Sequence, residues 1–197
     1  MAGDEAAGAA AGPGAGSAGG YDGKCVFCRI ARREEPGTAL LSCEVGEGRR
    51  PPRCPGGGAP RPPPPWPLPR YEDLVCFRDI KPDAPHHYLV VPVEHMENCK
   101  TLKTEHIPIV KRMMEVGKAV LQKNNFSDLD DIRMGFHWPP FCSIAHLHLH
   151  VLAPASQLGF LSRLLYRINS YWFITVSVMQ MCFAVGFRLQ AENAVFF

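Results

Sequence analysis

The sequence predicts an α+β domain built on an antiparallel sheet, and three observations carry that expectation. Short apolar runs, Leu74-Val-Cys-Phe77, Tyr88-Leu-Val-Val-Pro92 and Ile132-Arg-Met-Gly-Phe136, have the length and composition of strands. One longer stretch, roughly residues 104 to 124, has apolar residues at spacings of three and four and reads as a helix. Strands and helix follow one another without the βαβ repetition of a parallel sheet. At 197 residues the chain fits one ordinary domain with room to spare.

The elements follow in order. Residues 1 to 20 are almost wholly Ala and Gly, a composition that buries too little apolar area to offset ordering entropy, so a disordered tail is expected there. No charged and then apolar leader opens the chain, and of its 8 cysteines only Cys25-Val-Phe-Cys28 has a short spacing. Both features suggest a reduced intracellular setting, cytoplasmic and nuclear. A domain is expected over 21 to 155. Within it, Thr38-Ala-Leu-Leu-Ser-Cys43 and Leu74–Phe77 read as paired strands, and the Pro, Gly and Arg-rich segment 45–70 as a disordered insert at their turn. The cost of closing a loop grows slowly with length, which makes such an insert tolerable.

Tyr88–Pro92 suits a buried strand that ends at proline. In the helix, Ile107, Val110, Met114, Gly117 and Leu121 mark the core side, Pro108 falls in the tolerated first turn, and Asn124-Asn125 suits its end. Ile132–Phe136 is the next strand, His137-Trp-Pro-Pro-Phe-Cys-Ser143 a constrained loop, and His146–Leu152 a strand of strict alternation. Residues 156–197 form an apolar extension, without formal charge between Arg167 and Arg188. Asn169, Ser170, Thr175, Ser177 and Gln180 dilute it, so packing on the domain or on an oligomer partner is expected rather than a membrane span.

Lys plus Arg (21) nearly balance Asp plus Glu (19), which gives no argument for nucleic acid or an acidic membrane as partner. Phosphate chemistry must then be local. On a strand, alternate side chains share a face, so His146, His148 and His150 present three imidazoles to one side while Leu147, Leu149 and Val151 face a core. Neutral imidazole is a nucleophile at cellular pH, and its protonated form is a donor. Three histidines with this spacing also make an acceptable zinc set, which spacing alone leaves open.

His146-Leu-His-Leu-His-Val-Leu152 resembles the signature of the histidine triad superfamily. Cys25-Val-Phe-Cys-Arg-Ile30, Leu74-Val-Cys-Phe-Arg-Asp-Ile-Lys-Pro82 and His87-Tyr-Leu-Val-Val-Pro92 join it in the family's order, and the resemblance spans about 24–44 and 71–152. It implies the histidine triad fold, a five-stranded antiparallel sheet with one long and one short helix. It further implies homodimers and a purine nucleoside phosphoramidase that also cleaves acyl-adenylates and releases AMP, without a cofactor.

By the same resemblance His148 is the nucleophile at phosphorus, His150 and His87 hold the phosphate oxygens, and the backbone carbonyl of His146 orients His148. Ser143 donates to phosphate or to the leaving atom. Phe27, Ile30, Phe77 and Ile80 line the purine and ribose pocket, while Asp79 accepts from the ribose hydroxyls. Cys25 and Cys28, with His87 and His146, resemble the structural zinc set of some bacterial relatives, although packed thiols are the plainer expectation and no metal is assigned.

Three departures from the family pattern stand out: His137 where the amide-hydrolysing branch has Asn, the Pro-rich 45–70 segment, and the sequence after about Thr175. The shared Gly-Phe-His loop keeps an aprataxin-like deadenylase as an alternative, against which the chain shows neither an appended zinc finger nor a basic stripe. A nucleotide-binding scaffold read through its Pro-rich insert or apolar tail is the alternative outside enzymes.

Overall fold

The computed structural model describes residues 20–41, 72–168 and 170–179. The expected disorder of 1–19 and of the insert 45–70 lies outside these residues. Gly20, placed in the tail by composition, bridges to His95.

Six strands form one antiparallel sheet: β1 (Leu40–Leu41), β2 (Leu74–Arg78), β3 (His86–Pro92), β4 (Arg133–His137), β5 (Leu149–Ala153) and β6 (Phe173–Thr175). Their order is β1-β2-β3-β5-β4-β6. The strands that flank the insert pair, Leu40 opposite Phe77 and Leu41 opposite Cys76; of the expected 38–43 run, residues 42 and 43 lie outside the described residues. The sixth strand corrects the five-stranded expectation. Ile174 pairs with Phe136, so β6 covers the hydrogen-bonding edge that β4 would otherwise expose.

The described residues include the α-helices α1 (Val26–Ala31), α2 (Ile107–Lys123) and α3 (Phe160–Leu165), and 176–179 are helical as well. The expectation of a single short helix missed α3, whose outward positions are apolar and give no amphipathic stripe. The start of α2 is tighter than expected, because Thr104–His106 is a 3-10 turn and Pro108 sits where a missing N–H costs nothing. Val110, Gly117 and Leu121 are buried as expected, but the buried arc is wider than that stripe. Met113 is buried and Met114 only half-buried, since the helix lies broadly on the sheet with Val110, Val116, Val120 and Leu121 inward. Burying each such side chain contributes about 1.5–3 kcal/mol.

Gly117 sets how close that contact is. A Cβ there would come within 2.8 Å of Val151 Cγ2, so glycine lets the helix backbone approach β5.

Alternation along the strands divides the molecule into two faces. Tyr88 and Val90 of β3, Leu149, Val151 and Ala153 of β5, Phe136 of β4 and Ile174 of β6 meet α2 in one core. His87, Leu89 and Val91, His150 and Leu152, and Phe77 face the other way. There α1 packs at one end, and Leu158, Tyr166 and Phe173 at the other. Leu158, Tyr166 and Phe173 belong to the segment after residue 155 and pack on the sheet. Val176 and Met179, just beyond the point where the family pattern is left, fill the α2 core. No helix among the described residues is long and apolar enough to cross a membrane.

Candidate active site

The expected strand over 146–152 begins only at Leu149, yet the three histidines before and within it are all buried. They do not share one environment. His146 turns toward α1 and its thiols, while His148 and His150 stand next to one another, ring centroids 5.0 Å apart. The reason is that Leu147 N–H donates to Met96 O rather than continuing the ladder.

The hydrogen bonds determine which nitrogens carry protons. His148 Nδ1 lies 2.6 Å from the His146 carbonyl oxygen, so Nδ1–H donates and Nε2 keeps its lone pair. Asp83 N–H donates to His87 Nδ1 at 3.1 Å, which makes that nitrogen the acceptor and leaves the proton on His87 Nε2. His87 Nε2 is 3.0 Å from His150 Nδ1 and 3.4 Å from Asp79 Oδ2. His150 consequently accepts at Nδ1 and carries its proton at Nε2, which is buried and has no partner among the described residues. A buried donor left unpaired beside a nucleophilic nitrogen suits an incoming anion.

Burial lowers the pKa of His148 and, most strongly, of His150; for His87 it outweighs the opposing pull of Asp79 and Asp83. His137 is lowered by burial too, and its Nδ1 is 3.3 Å from Trp172 O, with its ring 4.8 Å from that of His150. These imidazoles are neutral around pH 7, each with one donor and one acceptor nitrogen.

Phe27, Ile30 and Phe77 come together in one apolar cluster with Leu89, Val91 and Ile144. The Phe27 ring stands edge-on to His148, centroids 5.1 Å apart, and 5.6 Å from Phe77. Ile80 does not join them: on the turn after β2 it is 93 % exposed. Asp79 faces His87 through Oδ2 while its Oδ1 accepts from Lys81 N–H, so one carboxylate both closes a turn and faces the histidines. Ser143 is exposed on its loop.

Gly135 lies opposite His150 on β4, and a Cβ there would meet Ile174 O at 2.5 Å and the Phe173 ring at 2.6 Å. Only glycine admits that packing. Tyr166 and Asp83 also border the histidines, though the sequence analysis singled out neither: the Tyr166 ring is 5.5 Å from His150 and 5.7 Å from His87.

A family model described as "Scavenger mRNA decapping enzyme C-term binding" matches residues 24–166. The chain is 56 % identical over 155 residues to the Adenosine 5'-monophosphoramidase HINT3 of Xenopus tropicalis, covering 79 % of this chain and 84 % of that one. It is 48 % identical to the Mus musculus protein of the same name, over 85 % of this chain and 86 % of that one. A Bifunctional adenosine 5'-phosphosulfate phosphorylase/adenylylsulfatase HINT4 of Arabidopsis thaliana is 44 % identical over 68 % of this chain and 73 % of its own length.

The chain belongs to the histidine triad superfamily.

One histidine of the triad serves a second cluster. His146 Nε2 is 3.1 Å from Pro92 O, so it donates there and presents the Nδ1 lone pair to Cys25 Sγ at 3.3 Å and Cys28 Sγ at 3.5 Å. His95 Nδ1 is 3.3 Å from Cys28 Sγ. The sequence-level zinc set is corrected here: His95, not His87, completes it, since His87 lies on β3 with Asp79 and His150. A lone His in a loop carries no periodic signal, which is why His95 was missed. The four ligand atoms lie within 4.8 Å of one another, and the sulfur-to-nitrogen separations match the edge of about 3.5 Å that tetrahedral zinc with Zn–S and Zn–N bonds requires. The Pro92 carbonyl fixes the ligating tautomer of His146, as an outer-shell partner does in metal sites. Burial holds the His146 imidazole down to about 4 and raises the Cys28 thiol. The residues fit the ion.

Proposed function

We propose that this histidine triad protein is a purine nucleoside phosphoramidase and acyl-adenylate hydrolase that releases AMP through a nucleotidyl-histidine. The observation that carries the reading is the pairing of a free His148 Nε2 lone pair with the unpartnered, buried His150 Nε2–H beside it. Both groups are held by neighbours rather than by solvent, so neither needs to reorganise when substrate arrives.

In the first step His148 Nε2 forms a bond to the α-phosphorus as the bond from phosphorus to the leaving nitrogen or carboxylate oxygen breaks. The leaving nitrogen takes a proton, for which the Ser143 hydroxyl, exposed on its loop, is the donor in this reading; a carboxylate leaves as the anion. The nucleotidyl-imidazolium keeps its Nδ1–H on the His146 carbonyl. Water then attacks phosphorus and gives up one proton, to Ser143 where an amine has left and to solvent where a carboxylate has, as the bond to His148 breaks and AMP departs. Splitting one displacement into two lowers each barrier. His150 donates to the phosphate oxygens, the apolar wall of Phe27, Ile30 and Phe77 receives the base, and Asp79 accepts from the ribose hydroxyls.

Cys25, Cys28, His95 and His146 would hold zinc, which would supply a cross-link between α1 and the His146 backbone rather than chemistry at phosphorus. The relatives' names support the substrate class, since those of Xenopus tropicalis and Mus musculus are named as adenosine 5'-monophosphoramidases. The reading extends to a homodimer in the cytoplasm and nucleus, and sedimentation of the full chain tests the assembly.

The deciding experiment measures AMP release from adenosine phosphoramidate and lysyl-adenylate, with labelled nucleotide trapped on the protein. Turnover and label that both vanish in His148→Ala are expected. Label that persists in His148→Ala would place the nucleophile elsewhere, and well-folded protein without turnover would favour the scaffold reading.

A further inference from the structure

Helix α3 is built the wrong way round for a helix that packs by burying apolar residues. Phe160, Leu161, Leu164 and Leu165 are exposed, whereas Ser162 and, at the helix end, Tyr166 are buried. Both buried side chains end in hydroxyls, and both hydroxyls go to one carboxylate. Ser162 Oγ–H donates to Asp83 Oδ1 at 2.5 Å and Tyr166 O–H to Asp83 Oδ2 at 3.1 Å. Arg133 holds the Tyr166 carbonyl at 3.0 Å, and the Tyr166 ring packs against His87, His137 and His150. Hydrophobic burial accounts for the Tyr166 ring, which packs with Leu158 and Phe173, but not for the two inward hydroxyls, whose common partner is Asp83.

We propose that Asp83 is a positioning residue whose clamp by Ser162 and Tyr166 fixes the tautomers of His87 and His150, and so keeps the His150 Nε2–H directed at the phosphate. The proposal rests on the proposed reaction for its kinetic consequence but not for its structural one. Asp83 acts through its own backbone: its N–H is the donor to His87 Nδ1. While that bond holds, His87 carries its proton at Nε2 and donates to His150 Nδ1, and His150 has only Nε2 left to protonate.

If the segment around Asp83 were free, His87 could carry its proton at Nδ1 and accept at Nε2 from His150 Nδ1–H. The His150 Nε2 lone pair would then face the phosphate, replacing an attraction with a repulsion in a site that water does not screen. Two nitrogens 3.0 Å apart admit a single proton between them, so the choice is binary. Asp79, 3.4 Å from His87 Nε2, favours the same tautomer from the opposite nitrogen, and the Asp83 N–H, at 3.1 Å, is the closer of the two contacts.

The test reads histidine tautomers by long-range proton–nitrogen correlation on the full-length protein, alongside kcat and KM for adenosine phosphoramidate. Wild type is expected to show His150 protonated at Nε2 and His87 at Nε2. Asp83→Ala should populate the alternative tautomers and lower kcat about tenfold to a hundredfold, less than the roughly 10²–10³ that loss of an oxyanion donor costs, with KM within about twofold. Tyr166→Phe, which keeps the ring, should do the same more weakly. Asp83→Asn, which retains an acceptor oxygen, should restore most of both signals.

Wild-type tautomers in a folded Asp83→Ala protein would overturn the proposal, as would a loss of melting temperature with kcat of the folded fraction unchanged. Should Asp83→Ala fail to fold, Tyr166→Phe and Ser162→Ala are read by the same signals. Tautomers as stated in a wild type that does not turn over would leave the positioning intact and remove the proposed reaction instead.

Discussion

The two faces of the sheet are made from alternate residues of the same strands and behave as different materials. On the α2 face, Tyr88, Val90, Leu149 and Val151 meet Val110, Met113, Val116 and Val120, and the interaction is area removed from water. On the other face His87 and His150, one residue away from Tyr88 and from Leu149 and Val151, are also buried, but each is held by directed bonds to a particular nitrogen. Burial alone therefore does not say what a position does. A lost methylene on the α2 face costs stability wherever it is taken, whereas a lost donor on the histidine face changes which proton sits where.

The largest expected effect is on the histidine face. His148→Ala should lower AMP release by on the order of 10³-fold or more, as loss of a covalent nucleophile does, with little change in melting temperature. Residual turnover within tenfold of wild type would break the contrast between the faces. The reciprocal substitution is Met113→Ala or Met179→Ala on the α2 face, where a fully buried methionine is truncated. Each should cost about 2–5 kcal/mol in urea unfolding and leave kcat unchanged. Since Met179 and Val176 are core, a chain cut after Thr175 should be less stable than the full chain, and equal midpoints would contradict that placement.

Zinc content sharpens the distinction between the two histidine clusters. Purified protein should carry about one zinc, lost in Cys25→Ser and in His95→Ala but retained in His87→Ala, by elemental analysis. Loss of the ion in His87→Ala alone would return to the original four-residue set.

The pH dependence is spread over several side chains. Burial lowers the folded-state pKa of His87, His137 and His150 below the unfolded 6.5 or so. Below that pH the unfolded chain binds protons that the folded one does not, so their contribution is complete above about pH 6.5 and is lost as pH falls toward the lower folded values. The slope approaches roughly 1.4 kcal/mol per pH unit for each histidine. Denaturant midpoints between pH 7.5 and 5.5 should show the decline, and His150→Gln should flatten it. At the bottom of the scale, Ile80→Ser should change stability by less than about 0.5 kcal/mol and KM by less than twofold, because that side chain is exposed. A larger rise in KM would bring Ile80 back to the nucleotide pocket.

Several elements were legible without coordinates because their signals are local. The alternation of Leu147, Leu149 and Val151 with histidines placed three leucine or valine side chains in one core, where they lie. The spacing of apolar residues located α2 to within three residues at its start, and the two strands beside the Pro-rich segment pair as read. Other elements had no local signal. β6 is three residues long and gains its meaning from the open edge of β4, and α3 buries hydroxyls, so no hydrophobic period announces it.

Sequence alone determined the α+β class, the long helix, the histidine motif and the absence of a charge bias. These depend on side-chain period and composition, which a chain carries before it folds. Only the tertiary structure decided that His95 joins the thiols and His87 joins His150, that Ile80 is outside, and that Asp83 stands between α3 and the histidines. Each of those is a meeting of residues far apart in sequence at hydrogen-bond range, and a proton's position is set by the atom it meets rather than by the residue that carries it.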